Sequence, residues 1–173
     1  MPRFSPAVPS HDQLAGVTID QHHAQAHDVS QHADVIHIVK AANEDVNNSS
    51  TLQNDDDFSF AVLANEVWSL HMAIQATFRL TSDFKFDWSV PSGAAMRISS
   101  RLYRADTLED AIIGDIGDHP FVLDTTTEYL LVINGVIVIG GTAGTAQFQW
   151  AQRTAAIENT TLRRESYMIA RRS

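Results

Sequence analysis

Histidine is the residue type here with the most obvious chemical capacity, and it is unevenly placed. Five of the eight, His11, His22, His23, His27 and His32, fall within the first 34 positions. His23 and His27 stand four apart, a spacing that puts two imidazoles on one helical face, as in zinc sites. A zinc protease would need a glutamate between them, and Ala24-Gln25-Ala26 supplies none. Two imidazoles alone leave a metal's coordination shell incomplete. Their expected role is hydrogen bonding to the backbone of a partner, with no metal bound. Only a trimer bringing three copies of one histidine to its axis would change that expectation.

The other chemistry-bearing patterns are weaker. Asp55-Asp56-Asp57 lacks the alternating oxygen ligands and the glycine turn of a calcium loop, so it reads as a solvated turn entering a strand. The chain has 21 acids, yet nothing in their order selects a carboxylate pair for glycoside hydrolysis. Pro91-Ser92-Gly93-Ala94 lacks the first glycine of a nucleophile elbow. Gly140-Gly141-Thr142-Ala143-Gly144 has no lysine and leads into no helical pattern, which excludes a phosphate loop. With no cysteine, disulfides, thiolate metal sites and cysteine nucleophiles are all absent. Trp68, Trp88 and Trp150 fall on apolar faces and are expected in the core. No catalytic residue and no cofactor is expected.

Composition narrows the partners. A net charge of −9 argues against nucleic acid, whose phosphates need a clustered cationic surface. Arg163, Arg164, Arg171 and Arg172 form the one basic cluster, and the expected place for it is a solvated strand edge. No apolar run has the length of a signal segment or a membrane-crossing helix. The longest, Tyr129–Ile139, is interrupted by Asn134-Gly135, so no membrane partner is expected.

Two regions with different physics must position these residues. Residues 1–34 contain Pro2, Pro6 and Pro9 and few large apolar side chains: Phe4, Val8, Leu14, Val17, Ile19 and Val29. Such a composition cannot offset the entropy of ordering a chain unaided. It reads as an extended arm that orders on a partner surface, with Phe4, Val8, Leu14, Val17, Ile19, His22, His23 and His27 as the contacts. From Val35 to Ser173 the pattern turns to period two, and 44% hydrophobic residues overall suffice for a core.

Trp68, Leu70, Met72, Ile74, Ala76 and Phe78 alternate with polar or small residues; Phe84, Phe86, Trp88 and Val90 do the same. Thr81-Ser82-Asp83 between them predicts a hairpin. Further strands are expected at Val35–Lys40, Phe58–Leu63, Met96–Ser100, Tyr129–Ile139 (partly buried on both faces), Ala146–Trp150 and Ser166–Ala170. Gly140–Gly144 is expected to turn the chain into another hairpin, with Gly135 marking a bulge. Within this region Asp106–Ile113 is the one segment expected to be helical, capped by Thr107 with Asp110 behind it, while residues 20–33 of the arm could form a short helix that is marginal in water by itself. Eight or so short strands between Gly, Pro, Asn and Asp clusters predict an all-β antiparallel sandwich or jelly roll with an N-terminal arm.

Two segments also look familiar. Leu14-Ala15-Gly16-Val17-Thr18-Ile19-Asp20-Gln21-His22-His23-Ala24-Gln25-Ala26-His27 resembles the histidine-rich segment of tail-fibre and other virion proteins of tailed phages. The region from about Val39 onward is similar to a β-domain of phage structural proteins. Its landmarks are Asn65-Glu66-Val67-Trp68, Asp83-Phe84-Lys85-Phe86, Val90-Pro91-Ser92-Gly93-Ala94, Gly141-Thr142-Ala143-Gly144-Thr145 and Gln149-Trp150-Ala151-Gln152. The resemblance implies a non-enzymatic virion protein without a cofactor, most often a homotrimer. It implies first a capsid decoration (cement) or short head-fibre protein on the outer surface of the particle. There the arm would lie on the major capsid protein or other virion subunits. The alternative it leaves is a tail-fibre or baseplate protein that recognises a host glycan or surface protein, with Tyr103 among the sugar contacts.

Overall fold

A period of two, sustained over long stretches rich in β-branched and aromatic residues, commits the chain to strands. The computed structural model describes residues 34–79, 81–104, 107–115, 119–121 and 127–173; for 104, 107–115, 119–121 and 127 it describes backbone only. The strands are β1 Val35–Val39, β2 Glu44–Val46, β3 Gln53–Val62, β4 Val67–Phe78, β5 Phe84–Ser89, β6 Ala95–Arg104 and β7 Thr107–Asp115. They continue with β8 His119–Phe121, β9 Thr127–Val138, β10 Gly144–Ala151, β11 Thr160–Leu162 and β12 Tyr167–Arg172. All pairings are antiparallel, and there is no helix among the described residues.

The strands form two sheets. The larger runs β1-β12-β4-β9-β6-β7, with β11 and β2 off this path, and the smaller runs β3-β10-β5-β8. Followed along the chain, β3, β4 and β5 change sheet at every step, and so do β8, β9 and β10. This arrangement, β1-β12-β4-β9 facing β3-β10-β5-β8, is that of a jelly roll, with the β6–β7 hairpin added to the outside of β9. The expected all-β sandwich is therefore the fold.

Each sheet turns one row of side chains inward. Trp68, Leu70, Met72, Ile74, Ala76 and Phe78 of β4 are all buried, as are Phe84, Phe86 and Trp88 of β5 and Phe148 and Trp150 of β10. Rings meet within and across the layers: Phe78 stacks on Tyr129 of the neighbouring strand at 4.5 Å and on Phe84 of the other sheet at 5.6 Å, and Phe60 lies 5.1 Å from Trp68 across the layers. Each such side chain contributes roughly 1.5–3 kcal/mol by leaving water. All three tryptophans belong to this core, as the sequence pattern predicts.

Several local expectations fail for one shared reason: alternation identifies a strand's buried face but not the sheet it joins. β4 and β5 do not form a hairpin. Ser82 and Asp83 donate their N–H groups to the Arg79 carbonyl at 3.1 and 2.9 Å, in a connection that carries the chain from one sheet to the other. Gly140–Gly144 likewise links β9 in one sheet to β10 in the other. A Cβ at Gly140 would sit 2.6 Å from the Gly93 carbonyl oxygen, so this crossing needs glycine for the close approach of two backbones.

Gly135 marks no bulge, for its register with Leu70 and Ile98 is regular. A Cβ there would lie 2.9 Å from Ile98 Cγ2, so the glycine makes room for that side chain. The bulges fall instead at Gln147/Gln149 and Leu102/Tyr103. Of the helix expected at Asp106–Ile113, Thr107–Ile113 belong to β7, where pairing along β6 overrides a plausible cap, and Asp106 lies outside the described residues. The arginines of the C-terminal strand are not at an edge, because β12 lies between β1 and β4. The outer side of Tyr129–Ile139 is not buried in turn: Leu130, Val136 and Val138 are 40–48% exposed.

Candidate functional site: an outer sheet face and its pocket

The outer side of the larger sheet is assembled row by row from register. One row runs Val35, Arg171, Ser69, Val136 and Arg97; the next runs His37, Ile169, His71, Asn134 and Ser99; a third runs Val39, Tyr167, Ala73, Val132 and Arg101. Val35, Val39, Leu130, Val136 and Val138 are the exposed large apolar residues of this face. In the middle, His71 Nδ1 lies 2.9 Å from Asn134 Oδ1 and its Nε2 lies 3.3 Å from the Tyr167 hydroxyl. The Tyr167 ring also meets His37 edge-on at 6.1 Å. The face thus presents exposed valines on β1 and β9, with polar and charged side chains of β12, β4 and β6 between and beside them.

At one end of this face the sheet opens into a pocket of about 250 Å³, lined by Gln75, Ala76, Tyr103, Glu128, Tyr129, Leu130 and Arg163. Register explains the assembly. Gln75 of β4 and Tyr103 of β6 flank Leu130 of β9, so three neighbouring strands supply the floor. Arg163 comes from the connection between β11 and β12 and pairs with Glu128. That connection is fastened to β4: Arg163 donates its N–H to the Gln75 carbonyl at 2.8 Å, and Ser166 Oγ donates to the Arg163 carbonyl at 2.7 Å while accepting the Gln75 N–H at 2.9 Å.

Charged groups elsewhere are consumed by the fold. Lys40 is 2% exposed, and its Nζ meets Glu44 at 2.7 Å, Asp55 at 2.9 Å and Asp57 at 3.3 Å. The Asp55–Asp57 run is therefore part of β3, with Asp55 and Asp57 in an ion cluster about the buried Lys40 and Asp56 exposed, which corrects its reading as a solvated turn. Asp55 also accepts the N–H groups of Asp57 and Phe58. Burial works to lower the Lys40 ammonium, but hydrogen bonds and attraction from Asp55 and Glu44 outweigh it and hold it above its ordinary value. Burial raises Glu44 despite the hydrogen bonds it accepts. Glu66 goes the other way. Burial alone would raise it, yet the Leu63 N–H, Arg172 and the Trp68 indole hold it below the usual carboxylate range. Arg172, expected among a solvated cluster, is tied to Asp34 and Glu66.

Among the described residues, no three His, Cys, Asp or Glu side chains form a group that could hold a metal. The arm residues Phe4, Val8, Leu14, Val17, Ile19, His22, His23 and His27 lie outside the described residues. Tyr103, expected among the sugar contacts of a receptor-binding protein, does fall in a pocket. Gln75, Glu128 and Arg163 carry no linear signal, because the pocket joins them from three distant segments. Lys40 is equally silent in the sequence, since a lone lysine after a short strand reads as solvated.

No family model and no curated protein matches the chain. Among solved structures, it is similar to a chain of the infectious bursal disease virus Gt strain at 14% identity and a TM-score of 0.17. It is also similar to the infectious bursal disease virus VP2 subviral particle at 11% identity and a TM-score of 0.19. Each match covers 80% of this chain and 40% of the other, so the chain spans well under half the length of those it matches. With likeness this slight, the strand order itself defines the class: a jelly-roll sandwich.

Proposed function

We propose that this chain is a non-enzymatic structural protein of a tailed-phage particle, acting as a capsid decoration (cement) or short head-fibre protein on the outer surface. The observation that carries the reading is the outer face of the larger sheet. A jelly roll, a fold used by viral shells and lectins, here keeps Val35, Val39, Leu130, Val136 and Val138 exposed on one side. Val136 and Val138 are neighbouring outward positions of β9, and this exposed apolar pair is the part of the face that suits contact with another protein. The phage resemblance of Leu14–His27 and of the β-domain landmarks gives the partner: the major capsid protein or other virion subunits, and further copies of the chain as a homotrimer. The net charge of −9 fits a protein partner better than nucleic acid or an anionic membrane.

In this reading residues 1–34 fasten the module to the shell. Linking an arm and a sheet face to one surface raises the effective concentration of each, so modest contacts add up to firm attachment. The test mixes particles lacking the protein with the full chain or with a chain lacking residues 1–33, which keeps the Asp34–Arg172 pair. A decoration protein should sediment with the particles only when the arm is present, while the truncated chain keeps its thermal transition. A truncated chain that attaches as well as the full one would remove the proposal. A second reading, a tail-fibre or baseplate receptor-binding protein, is favoured by the Tyr103 pocket; it expects binding to host cells to survive the truncation.

A further inference from the structure

We infer that the pocket between β4, β6 and β9 is a binding site for a neutral hexose unit of a surface glycan. The inference rests on the pocket alone and holds for either position on the particle. A pyranose ring has an apolar face of C–H bonds and a rim of hydroxyls that both donate and accept. Its binding site therefore needs an aromatic surface beside fixed donors and acceptors.

Tyr103 supplies the half-buried ring, next to the bulge at Leu102/Tyr103. Bulges occur where a strand must re-aim a side chain, and here the shift falls at the one tyrosine of β6. The Tyr103 and Gln75 side chains both line the pocket, and a phenol hydroxyl and a carboxamide can each donate and accept. Arg163 and Glu128 add donors and acceptors of opposite charge. Because the two neutralise each other, neither an acidic nor an amino sugar is favoured, and the hydroxyls of a neutral ring suit the pair best. The volume of about 250 Å³ suits one ring rather than a longer chain end. The Ser166 hydroxyl holds the Arg163 wall against β4, so the site is formed before ligand arrives.

The experiment titrates the full chain with neutral oligosaccharides (glucan, galactan and mannan fragments) and with oligogalacturonate, following binding by ligand-observed NMR and folding by thermal melting. At least one neutral series should bind, and Tyr103→Ala and Gln75→Ala should each weaken it about tenfold or more while a cooperative melt shows that each variant is still folded. Glu128→Gln leaves Arg163 unopposed and should move preference toward oligogalacturonate. Binding of no neutral sugar, equal binding by all variants, or a preference of the unaltered chain for oligogalacturonate would each overturn the inference. Attachment to particles is measured separately, so failure here leaves the structural role standing, and the reverse also holds.

Discussion

The two outer faces of the sandwich come from the same alternating pattern and end in opposite states. On the smaller sheet, the outward side chains satisfy themselves. Gln147 donates to the carbonyls of Asp55, Phe58 and Phe148, and Gln149 donates to Asn54. On the larger sheet, the outward positions of β1 and β9 mix exposed branched residues (Val35, Val39, Leu130, Val136 and Val138) with His37, Glu128 and Asn134. Every exposed large apolar residue that lies in a described strand belongs to this face. Burial of the inner rows cannot explain the difference, since both sheets bury theirs. One face is finished as a surface, and the other is composed like half of an interface.

The two faces stay distinct only while the sheets stay joined, and the most forceful test is at the edge where β1 and β3 end their sheets. Lys40 follows β1, while Asp55 and Asp57 belong to β3, so the ammonium ties one sheet to the other. Lys40→Met would leave the carboxylate of Asp55 buried and uncompensated. The expected loss is about 3–5 kcal/mol in urea unfolding. A variant as stable as the parent would show that the cluster is dispensable.

A smaller effect is expected at Glu66, where β3 turns into β4. Its carboxylate accepts the Leu63 N–H at 2.8 Å, the Trp68 indole at 2.9 Å and Arg172 at 2.8 Å. Glu66→Gln should cost about 1.5 kcal/mol at neutral pH, because charge-assisted bonds become neutral ones. A carboxyl held below its ordinary value of 4.5 adds stability above that pH and loses it as pH falls through the lowered folded value. The gap between parent and variant should therefore be full at pH 7 and close in strong acid. A gap independent of pH would mean that the ionised form contributes nothing.

How much of this was legible beforehand depends on the range of the signal. The alternation of Trp68–Phe78 and Phe84–Trp88 is local, and it identified the strands, the buried rows and the place of the tryptophans. Sheet membership is not local: the same Phe78 and Phe84 that suggested a hairpin stack across the core from different sheets. β2, β8 and β11 are too short, at three residues each, to show a period at all. The pocket was legible only through Tyr103, since the Arg163–Glu128 pair joins positions that nothing along the chain connects. Asp55 shows the same blindness from the polar side, for three aspartates in a row look solvated until a lysine from another segment is brought against them.

The smallest change in stability should accompany the sharpest functional contrast. Val138 lies on the outer face of the larger sheet, paired with Val67 and Ala95, and Thr145 is exposed on the smaller sheet opposite Ala61. Val138→Lys replaces a good strand former at an outward position and should cost no more than about 1 kcal/mol. Thr145→Lys should stay within about 0.5 kcal/mol. Both add the same charge to the same fold, so any difference in attachment to particles reports the face and not the charge. Val138→Lys is expected to lower the attached fraction because a cation must be desolvated where an apolar contact formed; Thr145→Lys should leave it unchanged. The reverse pattern would mean that the self-satisfied polar face is the one that docks, and that the exposed valines of β9 are only an unfinished edge of the core.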